Sequence, residues 1–241
     1  MSIAKSLHEI TEAVKNSKIY ASAFRCYSDI KFEIETIRDR DPAASSSIEV
    51  LALYSGLHAI MAHRLANMLY LRGHKFVARA ISQAAKTVTG IEIHPAAKIG
   101  KGVFIDHGSG VVIGETAEVG DGCTLYQGVT LGGTGKDQGK RHPTLGKNVM
   151  VGAGAKVLGP FTVGDNAKIA AGAVVLEAVP ANCTAVGMPA RIIKPGRNRK
   201  QPGNCDCDLD QIHIPDPVAH ELCIIERRIK KLEKQLEEIE K

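Results

Sequence analysis

From Ile93 onward an aliphatic residue returns at every sixth position: Ile93, Ile99 and Ile105, then Ile113, Val119, Leu125 and Leu131, then Leu145, Val151, Val157, Val163, Ile169 and Val175. Glycine follows at 100, 114, 120, 132, 146, 152 and 164, and small or β-branched residues sit four positions on, at Ala117, Cys123, Val129, Val149, Ala155, Ala167 and Ala173. A period of six matches neither the 3.6 of a helix nor the 2 of a half-buried strand, but it is a repeat period of β-helices. Each hexapeptide supplies one short strand and one corner, and three hexapeptides close a triangular coil. The aliphatic residue points inward and stacks on its equivalents above and below. The period leaves the handedness of the coil open.

The flanking regions read differently. Residues 1–89 are expected to be helical. Leu51, Leu53, Tyr54, Leu57, Ile60, Met61, Leu65, Met68 and Leu69 recur at spacings of three and four, and the pattern resumes from His74 to Val88 after a helix stop at Gly73. Pro42 pushes Asp41 out of the helical region and predicts a helix-to-helix corner. Residues 194–241 read as a linker with Pro195, Gly196, Pro202 and Gly203 and the basic residues Arg197, Arg199 and Lys200. A heptad-like helix through Leu222, Ile225, Ile229, Leu232, Leu236 and Ile239 follows. At under three heptads such a helix is marginal alone, so it packs on its own domain or joins the copies of a homo-oligomer. The expected architecture is an N-terminal helical domain (1–89), a parallel β-helix (90–193), and a linker with a C-terminal helix (194–241).

Composition narrows the picture. Aromatics make up 4% of the chain, Trp is absent and Gly numbers 24, which suits a narrow prism filled by small and aliphatic side chains. A net charge of +5 fits a phosphorylated or carboxylated small ligand and is too weak to argue for nucleic acid. No run of 18 apolar residues is present, so no membrane span is expected. Met1 leads into a polar segment rather than the apolar core of a signal peptide. With six cysteines scattered at 26, 123, 183, 205, 207 and 223, the expectation is a cytoplasmic protein with reduced, packing or solvent-facing thiols.

In a solenoid the regular part is scaffold, so chemistry is sought where the period breaks. Two residues are added between Ile105 and Ile113, within Asp106-His107-Gly108-Ser109-Gly110, and eight between Leu131 and Leu145, within the run 133–143. His107 has the character of a general base, since imidazole titrates near neutrality and a carboxylate precedes it. Arg141 offers a planar cationic fork suited to a carboxylate.

Several stretches together resemble the serine O-acetyltransferase family of hexapeptide-repeat acyltransferases. They are residues 90–97 (GIEIHPAA), 105–108 (IDHG), 114–117 (GETA), 127–136 (QGVTLGGTGK), 140–143 (KRHP) and 187–191 (GMPAR), with RDRDPA at 38–43 in the helical region. The likeness covers roughly residues 30 to 193. It implies a left-handed coil and transfer of acetyl from acetyl-CoA to the L-serine hydroxyl by direct attack, with no cofactor beyond that co-substrate. It implies His107 as base, oriented by Glu92 (Asp in many relatives), with Arg141 and His142 holding the serine carboxylate and Asp41 and Asp106 the ammonium. His142 would also steady the oxyanion. Gly133, Ala153 and Ala171 match positions lining the acetyl-CoA groove, and Lys168 and Arg191 are candidates for its phosphates. The family further implies trimers or dimers of trimers with sites between subunits, and cysteine as feedback inhibitor. A chain ending Glu240-Lys241 lacks the terminal Ile that docks into O-acetylserine sulfhydrylase, so that complex is not expected. Rival readings are an acyltransferase for a sugar or drug hydroxyl and a zinc site built from His94, His107 and His142. Cys205-X-Cys207 is a weak metal signal; no metal is expected.

Overall fold

The computed structural model describes residues 18–133, 135 and 138–193, with six further positions at 225, 228, 229, 231, 232 and 235 that are helical and exposed. The linker 194–224, with Cys205, Cys207 and Cys223, lies outside the described residues, as do Thr134, Lys136 and Asp137 of the long insertion.

Among the described residues four helices come first: α1 (Lys18–Arg40), α2 (Ser47–Leu53), α3 (Ser55–Leu71) and α4 (Lys75–Thr89). Ser46 caps α2 by accepting from the Glu49 amide, and α4 ends on Gly90 in the left-handed region at φ 74°. The apolar run from Leu51 to Leu69, expected as a single helical face, is two helices divided at Tyr54, where the backbone is extended. Tyr54 turns its hydroxyl to Asp41 at 2.6 Å, a long-range bond that local periodicity does not encode. Leu57 and Ile60 are buried, whereas Leu51, Leu53, Leu65 and Met68 are exposed, because the coil covers one stripe of an apolar segment that runs around more of the helix.

Fifteen short strands follow, from β1 (Glu92–Ile93) to β15 (Ala190–Ile193). The first fourteen form three parallel sheets in which strands three apart in sequence pair, save β12 with β14: β1-β4-β7-β10-β13 (sheet A), β2-β5-β8-β11 (sheet B) and β3-β6-β9-β12-β14 (sheet C). The six-residue period is visible in the register. Ile93, Ile113, Leu131, Val157 and Val175 align on sheet A, and Ile105, Leu125, Val151, Ile169 and Ala185 on sheet C. Nearly every rung is fully buried, and each buried Val, Leu or Ile contributes roughly 1.5–3 kcal/mol.

The corners are columns too. Between sheets B and C, Asn148, Asn166 and Asn182 take positive φ and bond side chain to side chain at 3.3 and 3.2 Å. Between sheets C and A, Gly110, Gly128, Gly154 and Gly172 form the equivalent column, with amide-to-carbonyl bonds of 2.8 Å from Gly128 to Ser109, Gly154 to Gln127 and Gly172 to Ala153. The two expected insertions sit at corners, the first between C and A and the second between A and B. A third irregularity was not expected: Val163 pairs with Val179 and Ile169 with Ala185, so the last coil is shortened around Val175–Pro180. Antiparallel β15 on β14 (Thr184–Gly187) then closes the open edge of sheet C.

The helices dock on the lower coils through polar side chains aimed at corner carbonyls. Arg40 donates to Gly102 O (3.3 Å), Gly122 O (3.0 Å) and Thr124 Oγ1 (3.3 Å), Arg64 to Gly100 O (2.9 Å), and Asn67 to Pro95 O (2.7 Å). A Cβ on Gly56 would overlap the Ile105 carbonyl, so the start of α3 lies directly on β3 (Phe104–Ile105), one residue from the first insertion.

Candidate active site

Two clusters of chemistry-bearing side chains form, each at one inserted corner. The first lies where the chain leaves β3. Asp106 is half-buried and His107 exposed, with Nε2 3.9 Å from Asp106 Oδ1. His107 holds φ 57°, and among the described residues the other non-glycine positions with positive φ are asparagines at regular corners. His, like Asn, tolerates this left-handed region better than most side chains, and the turn leaves the imidazole exposed at the corner. From the helical side, Ser55 Oγ reaches the His107 carbonyl at 3.4 Å, and Asp41 comes in on the turn after α1, fixed by Tyr54 and by the Ala43 amide at 2.8 Å. The bond to Asp41 pushes the Tyr54 hydroxyl up to about 12, so it is a constant donor. Burial raises Asp106 above the usual carboxylate range, and the Asp41 charge adds to this while His107 opposes it. Two carboxylates repelling each other beside an imidazole present a charge that a cation would relieve. Asp41, Asp106 and His107 are therefore brought together, and Tyr54 joins them without having been singled out from sequence.

The second cluster lies where the chain re-enters the coil before β8 (Thr144–Leu145). His142 is 8% exposed and packs against Gly114, where a Cβ would overlap its ring. Arg141 Nη2 pairs with Glu115 Oε2, and this guanidinium holds the Glu115 carboxyl below its usual range. Burial pushes the His142 imidazole below its ordinary value; Arg141 pushes the same way and Glu115 opposes. Thr116 binds the backbone and ring of this segment, and Lys140 Nζ donates to the Thr116 carbonyl at 2.7 Å. Glu115 and Thr116 belong to the GETA stretch but carried no assigned role. The signal for them is their position one coil below Arg141 and His142.

Glu92 stands apart from His107. Its carboxylate takes a hydrogen bond from Lys86 Nζ at 2.6 Å, with Gln83 at 3.5 Å and Arg79 at 3.9 Å, all on α4. The carboxylate within 4 Å of the His107 ring is that of Asp106. The cause is electrostatic: a permanent ammonium and a guanidinium over β1 attract Glu92 more strongly than an exposed imidazole does.

The remaining expected positions divide between the corners. Ala153 and Ala171 stand on the C–A column above His107, while Gly133 lies on the A–B corner, where a Cβ would come 3.0 Å from the Arg141 carbonyl. Lys168 and Arg191 are on sheet C, in β12 (Lys168–Ile169) and β15. His94 shares the A–B corner with His142, whereas His107 is at the C–A corner, and no group of three metal-ligating side chains occurs among the described residues. A cleft of about 430 Å³ on sheet B, lined by Lys98, Glu118, Lys147 and Asp165, contains none of these residues. Among the described residues no helix is long and apolar enough to cross a membrane.

Comparison with known proteins decides the family. A serine acetyltransferase of Bacillus licheniformis is 53% identical over 208 residues, which is 86% of this chain and 94% of the relative. The chain belongs to the serine acetyltransferase family. Residues 142–177 match the bacterial transferase hexapeptide model. Among solved structures, serine acetyltransferase of Brucella abortus with coenzyme A superposes with a TM-score of 0.69 at 43% identity, covering 79% of this chain and 74% of that one. A serine acetyltransferase in complex with cysteine gives a TM-score of 0.70 at 41% identity, covering 80% and 74%.

Proposed function

We propose that the chain transfers acetyl from acetyl-CoA to the hydroxyl of L-serine, giving O-acetyl-L-serine for cysteine biosynthesis. The observation that carries this reading is the pair of charge-complementary corners: carboxylates and a base on one, a guanidinium and a buried imidazole on the other. A free amino acid has an ammonium for Asp41 and Asp106 and a carboxylate for Arg141 and His142, with its hydroxyl between them. A sugar or drug acceptor gives neither end a partner. His107 takes the hydroxyl proton as the oxygen attacks the thioester carbonyl. His142 Nε2 steadies the oxyanion, the C–S bond breaks, and the departing thiolate receives the proton from His107. Clamping both ends of serine makes the attack effectively intramolecular. Glu92 would orient the His107 ring only after releasing Lys86.

We infer that the site is completed between subunits. The two corners are separated by one side of the triangle, about six residues at ~3.3 Å each, on the order of 20 Å and too far for one serine to span. A threefold arrangement of left-handed coils apposes the C–A corner of one copy to the A–B corner of the next. Acetyl-CoA would run along that seam past Ala153 and Ala171 on one side and Gly133 on the other, with Lys168 and Arg191 toward its phosphates. Residues 90–193 would form the catalytic domain, 1–89 would supply Asp41, and the C-terminal helix and cysteine binding at the serine site are further elements of this reading. The test is release of CoA thiol by the purified protein with L-serine, D-serine, a sugar acceptor and added cysteine. Turnover confined to L-serine and suppressed by cysteine is expected; equal turnover with the sugar would overturn the assignment.

A further inference from the structure

Thr116 is one coil below the Arg141-His142 pair; its amide and hydroxyl bond that pair, and its carbonyl accepts from Lys140 Nζ. Its Oγ1 accepts from the Arg141 amide at 3.0 Å and from the His142 amide at 3.1 Å. A hydroxyl oxygen has two lone pairs and one proton, so with both lone pairs engaged the proton is left for its remaining neighbour, His142 Nδ1 at 2.9 Å. The Thr116 amide donates to the same Nδ1 at 3.2 Å. A nitrogen facing two donors has to be the bare acceptor of the ring, so the imidazole proton resides on Nε2. Gly114 leaves the room that this ring occupies against the lower coil.

We propose that Thr116 is the positioning residue of the serine clamp, holding His142 as the neutral Nε2–H tautomer and setting the register in which Arg141 and His142 leave the long insertion. This rests on the reading of Arg141 and His142 as the clamp. Two consequences follow. First, Nε2 is a preorganised donor toward substrate oxygen that needs no reorientation during the reaction. Second, protonating His142 would set an Nδ1–H against two donors, so Thr116 works with burial to keep the ring neutral. The eight added residues of the insertion are thus secured at their end by a single side chain, since its hydroxyl takes two successive backbone amides that would otherwise be buried without an acceptor.

The experiment combines histidine NMR with kinetics on the full-length protein. In the wild type at pH 8, where the ring is neutral, the His142 ring nitrogens should report a bare Nδ1 and a protonated Nε2. A protonated Nδ1 would overturn the inference before any variant is made. Thr116→Val, which keeps shape and loses the hydroxyl, should move the His142 titration upward and raise the serine KM tenfold or more while leaving the acetyl-CoA KM within twofold. Thr116→Ser should recover most of both effects. If Thr116→Val is too unstable to purify, the wild-type tautomer and the Thr116→Ser titration still decide the matter. Thr116→Val with an unmoved His142 titration and an unchanged serine KM refutes the proposal. His142→Gln with unchanged serine kinetics would instead sink the clamp reading and leave the tautomer result standing.

Discussion

The two inserted corners are built on opposite principles. At the A–B corner each polar group has a partner inside the chain: Arg141 holds Glu115, His142 accepts from Thr116, and Lys140 caps the Thr116 carbonyl. At the C–A corner the charges are less well matched. Asp41 accepts from Tyr54 and the Ala43 amide but repels Asp106, and His107 is exposed with its nearest carboxylate 3.9 Å away. A corner whose electrostatics are already satisfied fixes geometry, whereas a corner with unsatisfied charge gains most when a ligand arrives. On the proposed reading, the rigid corner aligns serine and the electrostatically demanding corner binds its ammonium.

The largest effect expected is at the demanding corner. His107→Ala should lower kcat by roughly 10²–10⁴-fold, the usual contribution of a general base, with the acetyl-CoA Kd unchanged and the His142 resonances undisturbed. A variant retaining more than a tenth of wild-type kcat would show that the base is elsewhere. Arg141→Ala should be similarly crippled through serine binding. Mixing these two inactive variants during refolding tests whether the corners meet across a subunit boundary. In a randomly mixed threefold assembly about a quarter of the sites combine an intact His107 from one copy with an intact Arg141 from its neighbour, so roughly a quarter of the activity should return. No recovery in assemblies shown by mass to be mixed would place both corners' functions within one chain.

Much of this contrast can be read along the chain, and the remainder cannot for identifiable reasons. The coil follows from the six-residue phase because stacking demands the same residue class at every rung, from Ile93 up to Val175. The breaks after Ile105 and Leu131 are legible for the same reason. The shortened turn around Val175–Pro180 escaped, since Val175 is still in phase and the next rung, Val179, comes four positions on rather than six, beyond the last in-phase position. The partners of the polar groups were hidden because they depend on vertical neighbours. Thr116 meets His142 26 positions later only because the insertion returns to the corner one coil up, and Tyr54 meets Asp41 only because α2 folds back. Glu92 shows the limit most clearly: the motif around it predicts a His107 partner, but which cation lies above β1 depends on how α4 docks.

Stability should separate the corners by sign. Burial raises the Asp106 carboxyl in the folded state, so it costs stability once pH climbs through that raised value. Asp106→Asn should therefore stabilise the protein at pH 7, on the order of 0.5–1 kcal/mol, as expected where activity is traded against stability. Glu115 is lowered by Arg141, so its contribution is present above the ordinary carboxylate range and is lost as pH falls through the lowered value. Glu115→Gln should destabilise at pH 7, but by no more than about 1 kcal/mol, since both side chains are about a third exposed and solvent screens the pair. Urea midpoints at pH 7 and pH 3 check both signs, and both differences should shrink at the lower pH. Two variants shifting in the same direction at pH 7 would break the comparison.

The smallest effect concerns the tether between Glu92 and Lys86. Lys86 is 48% exposed on its side chain, and an ion pair so open to water is worth ~0–1 kcal/mol. Releasing Glu92 toward His107 therefore opposes catalysis by at most about fivefold, and Lys86→Met, which removes the competitor, should raise kcat two- to fivefold with little change in either KM. The same variant should flatten the acid side of the stability curve. Lys86 holds the Glu92 carboxyl below its usual range, so the pair stabilises above the ordinary carboxylate range and fades as pH drops through the lowered value. Glu92→Gln sets the reference. If it lowers kcat tenfold while Lys86→Met raises it, the carboxylate orients the base during turnover and Lys86 holds it back at rest. If Glu92→Gln leaves kcat untouched, Glu92 serves to dock α4 on β1, and Asp106 is the carboxylate that orients the base.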